Sequence, residues 1–441
     1  MANSNFAKQA ALSILVSSLL FSSTLQAQRM LPLDDAISMA VAHSKQLQLD
    51  SIQLQLADSR LIQSKNAQLP QVNANLSYIR ISDNITPFKV AFPTGEVTLN
   101  PQILNQYYNS VQVRQLIWGG GKARYGNELR ALDKKTIYFD LDKNKADISY
   151  TITTLWYNLF TVKQSRKIVE ANIELLTNQK KDADNFVQQG ILLANDVLKI
   201  ELAITNLQSD LSDIVNTQKL LKYNLCLLTG LDTKTAIDVP DALPVIIQQG
   251  DSLDQYLEKA VKNRAELKGL SIRKEQATVG LKISRSNYLP TLSVGGTVNY
   301  DQPNQRLFPN QATITGTWNA GVFLNWNLTD LYTTKQRVRE SKLSIENMSS
   351  IMEQATEGIQ IEVNEDYNNY LQARQKIEIA NKALAQATEN FRVEQNRFQT
   401  NTTTPTDFLN ANILLTNAKI NLITSTANAE LAYRKLIKST N

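Results

Sequence analysis

The chain is written twice. Leu33-Asp34 opens a stretch of helical composition that closes at Leu69-Pro70, and Leu253-Asp254 opens another that closes at Leu289-Pro290. Both pairs lie 220 residues apart, and Ala40-Val41 and Ala260-Val261 keep the same register. Each half runs through one order of elements. A helix of about 35 residues reaches the Leu-Pro; an alternating segment, a polar loop and a second alternating segment follow; then come a very long helix, a short turn and another helix of about 35 residues. The halves join through Leu231–Asp251, where Pro240, Pro244 and Gly250 interrupt the periodicity. Such a duplication predicts one pseudo-symmetric architecture, with residues 28–230 as a first structural repeat, 231–252 as a linker and 253–441 as a second repeat.

Residues 1–27 read as a cleavable leader. Lys8 precedes the apolar stretch Ala10–Phe21, and small residues lead to Leu25-Gln26-Ala27. The apolar stretch is too short to span a bilayer, and the mature chain is expected to begin near Gln28, outside the cytoplasm. No cysteine follows that point closely enough to carry a lipid anchor. No later segment reaches the ~18 uninterrupted apolar residues of a membrane helix, which leaves a water-soluble fold or a β-barrel.

Composition excludes several function classes. The single cysteine, Cys226, excludes internal disulfides and cysteine zinc sites; it sits among leucines and reads as a packing residue. The single histidine, His43, lies on a polar helical stretch. No nucleophile–base pair and no metal-ligand cluster stands out, and the carboxylates are scattered beside lysines and arginines, so neither catalysis nor a cofactor is expected. The net charge of +5 falls to +4 once Lys8 is removed and is spread along the chain, which gives nucleic-acid binding no support.

Four segments alternate with a period of two. Val72, Ala74, Leu76 and Tyr78 interleave with Asn73, Asn75 and Ser77, and Val111 and Val113 with Gln112 and Arg114. Leu292, Val294, Val298 and Tyr300 alternate with Thr291, Ser293, Thr297 and Asn299. Trp318, Ala320, Val322, Leu324 and Trp326 alternate with Thr317, Asn319 and Asn325. Each segment is about ten residues, the length of a tilted membrane strand. The polar faces suit a watery lumen, and Tyr78, Tyr107, Tyr108, Trp118, Tyr300, Trp318 and Trp326 gather near segment ends, where aromatic girdles sit. A soluble four-stranded sheet on helices would alternate in the same way. If the strands span a membrane, however, four cannot close, since small barrels need about eight. An open edge in lipid leaves backbone groups unpaired. Several copies must then share one barrel: two would give eight strands with a filled lumen, three would give twelve and an open bore.

The helices add a second constraint. From about Ala123 to Gln189 there is no proline and only Gly126. Ile148, Ile152, Leu155, Leu159, Val162, Val169, Ile173, Leu176, Ala183 and Val187 form a 4-3 stripe broken by Arg166 and Lys180. In the second half Tyr370, Ile377, Leu384, Phe391 and Phe398 recur every seven residues. A narrow seam of this kind belongs to under-wound helices touching laterally, wet on their other faces. The long helices should reach ~100 Å, and two shorter ones end to end would match that length. Each half enters its long helix through a turn: Gly119-Gly120-Gly121, a flexible strand-to-helix bend rather than a phosphate loop, or Thr329-Asp330-Leu331.

With these carriers in place the sequence resembles the TolC-like outer-membrane efflux protein family from about Leu31 to Lys438. The resemblance rests on the duplication, the two Leu-Pro junctions, the Gln115-Leu116-Ile117-Trp118-Gly119-Gly120-Gly121 strand exit and the two helical-hairpin turns. It implies a mostly α fold with a membrane β-barrel: a homotrimer with four strands per chain in a shared twelve-stranded barrel in the cell outer membrane, continued by a long α-helical barrel through the periplasm. It further implies a passive exit duct for small molecules or proteins in a tripartite efflux or type I secretion system. The partners would be a periplasmic adaptor, an inner-membrane transporter of RND, ABC or MFS type, and outer-membrane lipid. In members with this turn pattern acidic residues ring the periplasmic mouth; Asp407 falls on that position and Asp196 on its first-half counterpart, while Asn410 stands where some members carry another aspartate. Asn401 replaces the usual glycine, a tolerable swap because asparagine visits left-handed backbone. The turns, with Gly190, Ile191, Leu192, Val197, Leu198, Asn401, Phe408 and Leu409, are where adaptor hairpins dock in the family. An aspartate in the first turn of a helix also stabilises the exposed amides there with no gating role.

Two rival readings are open to test. A periplasmic helical adaptor or other coiled-coil envelope protein would explain the heptads but not the duplication or the strands. A diffusion porin would need many more strands and little helix. Proline-bearing loops at about Ser82–Gln106 and Asp301–Thr313 are expected to face outward.

Overall fold

The computed structural model describes residues 29–84, 86–243 and 250–441. The expected leader, residues 1–27, and Pro244 lie outside the described residues. In chain order the elements are β1 (Arg29–Met30), α1 (Leu33–His43), α2 (Lys45–Asn66), β2 (Gln71–Arg80), β3 (Phe88–Phe92), β4 (Gly95–Asn100), β5 (Asn105–Trp118), α3 (Lys122–Gln188) and α4 (Ala194–Thr229). They continue with β6 (Ile237–Asp238), α5 (Leu253–Asn263), α6 (Ala265–Ser286), β7 (Thr291–Gln302), β8 (Thr315–Asn325), α7 (Asp330–Gln399) and α8 (Pro405–Ser439). The offset of 220 holds residue for residue through the first helices: α1 and α5 have 11 residues each, and α2 and α6 have 22.

One expectation needs correction. Each Leu-Pro junction is reached not by one helix of about 35 residues but by two, broken at Ser44 and at Arg264. Ser44 takes φ −54°, ψ 121° and Arg264 φ −51°, ψ 122°. No glycine or proline marks either site. Ser44 Oγ accepts the Leu47 amide at 3.2 Å, and the Arg264 guanidinium pairs with Glu266 at 2.7 Å. His43, at the end of α1, packs against Gly230, where an added Cβ would come within 2.4 Å of the imidazole. At Ser44 a local serine cap and the packing of His43 on Gly230 coincide with the break.

Two compact units are formed. One holds the described residues up to Leu47 with Asn144–Lys262 and Ile359–Asn441; the other holds Gln48–Lys143 and Asn263–Gly358.

The second unit carries a four-stranded antiparallel sheet in the order β2-β5-β7-β8. The register sorts side chains by chemistry. Val72 faces Val113, Ala74 faces Val111, Val111 faces Val298 and Val298 faces Trp318. The opposite face aligns Asn75 with Ser110, Ser110 with Asn299 and Asn299 with Thr317. A bulge between Leu116 and Trp118 returns Trp118 to the face of Leu292. The apolar face is bare: Leu76 is 79% exposed, Trp318 74% and Val322 69%. On the polar face Arg114 is the one charged side chain apart from Asp301 at the loop end; its guanidinium lies 5.7 Å from the Phe323 ring centre. The first polar loop contains a hairpin that alternation did not reveal, β3 paired with β4 and clasped by Lys89 and Glu96 at 3.7 Å. At the strand exit Gly120 and Gly121 take φ +63° and +84°; a Cβ at Gly120 would lie 3.0 Å from Leu289 Cβ and from Ser286 O.

The first unit has two cores. One gathers Leu31, Ala36, Ile152, Trp156, Phe160, Leu225, Cys226 and Val239, with Trp156 Nε1 donating to Leu31 O at 2.8 Å. Here β1 and β6 make a short parallel bridge. Beside it Lys163 Nζ donates to Asp238 Oδ2 at 2.8 Å and meets Asp241 Oδ1 at 2.7 Å, and Lys167 also reaches Asp241 at 2.7 Å. Hydrogen bonds from Lys163 and Lys167 hold the Asp241 carboxyl down to about 2. The second core lies beneath the hairpin turns.

Candidate functional site

The two turns are one motif built twice, 211 residues apart. In the first, α3 ends as Gly190 takes φ +75°; the Ile191 amide donates to Phe186 O at 2.9 Å and the Gly190 amide to Val187 O at 3.0 Å. In the second, α7 ends as Asn401 takes φ +57°; the Thr402 amide donates to Arg397 O at 2.8 Å and the Asn401 amide to Phe398 O at 3.1 Å. Both are Schellman closures, which satisfy carbonyls a helix end would otherwise leave unpaired. Asparagine fills the left-handed position because its short polar side chain tolerates it better than other L-residues.

The following helices start alike in backbone and differ in side chain. Leu193 (φ −86°, ψ 148°) and Thr404 (φ −83°, ψ 150°) are the N-caps. Leu193 offers no cap, whereas Thr404 Oγ1 accepts the Asp407 amide at 3.2 Å and donates to Asp407 Oδ2 at 2.7 Å. Pro405 occupies the first helical position, where its missing N–H costs nothing. Asp196 instead pairs with Lys199 at 3.0 Å. Each aspartate therefore has a local partner, and each sits where the helix dipole favours negative charge.

Beneath the turns Phe408 is 0% exposed, stacked on Phe398 with ring centres 4.9 Å apart and tilted against Phe391 at 5.8 Å. Leu176, Ala183, Val197, Ile200 and Leu409 complete this core. Fully burying a phenylalanine contributes about 1.5–3 kcal/mol. Deeper along the helices, Asn412 Nδ2 donates to Asn172 Oδ1 at 2.8 Å and Asn172 Nδ2 to Thr416 Oγ1 at 2.9 Å, a buried polar bond between α3 and α8.

The expected site residues thus divide. Val197, Phe408 and Leu409 are buried and hold the end of the unit together. Ile191, Leu193 and Leu198 are exposed apolar side chains, and Leu192 packs partly on the core. Asp407 and Asn410 are exposed. A groove of about 230 Å³ between the ends of α3 and α7 is lined by Gln179, Asp182, Asn185, Phe186 and Phe398. The two charges that interrupt the apolar stripe have partners on α4: Arg166 donates to Gln218 at 3.2 Å, and Lys180 pairs with Glu201 at 2.7 Å. Sequence reading missed the Thr404 cap, although Thr-x-x-Asp at the head of a helix is its signature. It also missed Asn172 and Asn412, which no local pattern marks. Among the described residues no cluster of His, Cys, Asp or Glu is arranged to hold a metal ion, and no helix is long and apolar enough to cross a membrane.

Comparison with known proteins follows the same lines. Residues 256–441 match the family model "Outer membrane efflux protein". The toxin and drug export protein A of Aggregatibacter actinomycetemcomitans is 22% identical over 248 residues, which cover 55% of this chain and 52% of that protein. The chain thus spans about half the length of that curated relative. The outer membrane protein VceC of Vibrio cholerae is similar in structure, with a TM-score of 0.76 at 16% identity over 92% of this chain and 95% of that one. The CmeC outer membrane channel of Campylobacter jejuni gives 0.74 at 15% identity over 92% and 85%. Over residues 256–441 the chain matches the outer membrane efflux protein family by sequence, and over 92% of its length it shares the fold of such channels.

Proposed function

We propose that this chain is the outer-membrane subunit of a tripartite efflux or type I secretion system and forms a passive exit duct for small molecules or proteins across the outer membrane and periplasm. The observation that carries this reading is the open sheet. Among the described residues β2 and β8 are each paired on one side only, and one face is apolar and bare. Lipid suits that face, but lipid tolerates no open sheet edge. Copies of the chain therefore join edge to edge, and three of them make a twelve-stranded barrel wide enough to conduct. Residues 28–230 and 253–441 act as two structural repeats that enter this ring, with 231–252 between them. The polar face lines the bore, and no residue of the chain is given a catalytic role.

At the turns, Asp196, Asp407 and Asn410 are proposed to surround the periplasmic mouth. Asp407 serves two ends: one carboxylate oxygen meets the capping threonine, and the other has no partner among the described residues. The exposed Ile191, Leu193 and Leu198 and the groove beside Phe186 form the adaptor-docking surface, positioned by the buried Phe408. An energised inner-membrane transporter completes the path.

The test is reconstitution of the purified chain in planar bilayers. A detergent-resistant trimer with ohmic conductance is expected, and Asp407→Ala should raise basal conductance or weaken block by multivalent cations. A monomer that never conducts would overturn the duct; unchanged conductance and block in the variant would remove only the gate.

A further inference from the structure

Charge is distributed unevenly along the helices, and the imbalance sits where they meet the sheet. In the last ten residues of α2, Arg60 and Lys65 stand against Asp58. The first ten of α3 carry Lys122, Arg124 and Arg130 against Glu128. The last ten of α6 carry Lys282 and Arg285 with no acid, and the first ten of α7 carry Lys335, Arg337 and Arg339 against Asp330. The count is ten basic to three acidic side chains, and all ten but the half-buried Lys282 are exposed. The ends at the two turns are balanced: the last ten residues of α3 and α7 and the first ten of α4 and α8 hold five basic and six acidic side chains.

Internal pairing does not use up the excess. Lys282 pairs with Glu128 at 3.2 Å and Arg130 with Asp133 at 3.1 Å. Arg60, Lys65, Arg124, Arg285, Lys335 and Arg339 have no carboxylate partner among the described residues. On α7, Lys335 and Arg339 share one face at i,i+4, while Arg337, on the other side, pairs with Asp330 at 3.8 Å. Trp118 and Trp326 stand where the strands give way to these helix ends, and Tyr332 lies in the first turn of α7, each with a large exposed ring; Trp326 Nε1 donates to Tyr288 O at 3.1 Å. Apolar strands, then exposed aromatics, then unpaired cations is the order of a bilayer's tails, interface and headgroups.

We infer that this collar binds anionic phospholipid headgroups in the leaflet at the helix end of the barrel. Long lysine and arginine stems reach up to that level, and each cation near an anionic surface adds to the attraction. The inference rests on the membrane reading above and gives that membrane a preferred headgroup chemistry.

The test uses the full chain in nanodiscs of equal phosphatidylglycerol and phosphatidylcholine, with the retained lipid measured by mass spectrometry after detergent extraction. At least about tenfold enrichment of phosphatidylglycerol is expected. It should fall steeply from 0.15 M to 1 M salt, over which the screening length shrinks from about 8 Å to about 3 Å. Combined Arg124→Gln, Arg285→Gln, Lys335→Gln and Arg339→Gln should lose the preference while the chain still enters neutral vesicles. Equal retention of the two lipids, or a preference insensitive to salt, overturns the collar even if the variant does not fold. A variant that keeps its lipid preference and changes only ion selectivity overturns it too, since the cations would then serve the bore. Failure of the native chain to enter either neutral or phosphatidylglycerol-containing vesicles would instead overturn the membrane reading itself.

Discussion

The two hairpin turns reach the same backbone with different residues. Gly190 and Asn401, Leu193 and Thr404, Asp196 and Asp407, and Val197 and Phe408 correspond pairwise at 211 residues, and the paired dihedrals at the N-caps agree within a few degrees. Turn shape is therefore set by the Schellman closure and by the core beneath it, not by any one side chain. The side chains differ in how firmly each turn is held. The second has a hydroxyl cap, a proline at the first helical position and a fully buried aromatic anchor; the first has a glycine, an uncapped start and Leu193, 72% exposed. The second turn reads as the anchored one and the first as the looser one.

The largest break in this contrast is expected from the anchor. Phe408→Ala should cost about 3–5 kcal/mol of local stability, because the stack with Phe391 and Phe398 is left open. Val197→Ala at the matching position should cost about 1–2 kcal/mol. Hydrogen exchange of the α4 and α8 amides measures both, and equal protection losses would refute the asymmetry.

Caps come next. Thr404→Ala should cost about 1 kcal/mol and expose the first amides of α8. Leu193→Thr should stabilise the start of α4 by about the same amount, since the backbone there already has cap geometry. A neutral result for the latter would mean that Leu193 is buried against another copy or a partner.

At the left-handed positions Gly190→Ala should cost about 1–2 kcal/mol, the penalty of a Cβ in that conformation. Asn401→Gly should be neutral or stabilising by a few tenths, readable in thermal unfolding.

The smallest effect is expected away from the turns. Asp241 is held at about 2 by hydrogen bonds from Lys163 and Lys167. A depressed carboxyl stabilises the fold fully above the ordinary value of about 4 and loses that contribution as the pH falls toward 2. Asp241→Asn should lower stability slightly at neutral pH and flatten the acid-unfolding curve between about 4 and 2 by the same small amount, because the side chain is largely exposed.

Much of this architecture was legible in the sequence for a plain reason: period and punctuation are local. Alternation over ten residues located β2, β5, β7 and β8, the glycine run located the bend, and the heptads located a seam in which Tyr370 and Phe398 are indeed buried. The repeat located where the first helical stretch of each half opens and closes, yet it hid the breaks at Ser44 and Arg264 that divide each stretch into two helices. At Ser44 a serine cap on α2 and the packing of His43 on Gly230 accompany the break, and at Arg264 an ion pair with Glu266 does, none of which shows as a period. The β3–β4 hairpin and the β1–β6 bridge were too short to show a period.

At the turns the sequence alone determined where the chain reverses and which carboxylates lie there, since Gly190, Asn401, Asp196 and Asp407 announce themselves by backbone preference and dipole. Only the tertiary structure decided what those residues touch. It turned Val197, Phe408 and Leu409 inward, left Ile191, Leu193 and Leu198 outward, and joined Asn172 to Asn412 across 240 residues of chain. The reason is physical: a turn is closed by hydrogen bonds within six residues, whereas burial is settled by helices that meet only once the whole hairpin has folded.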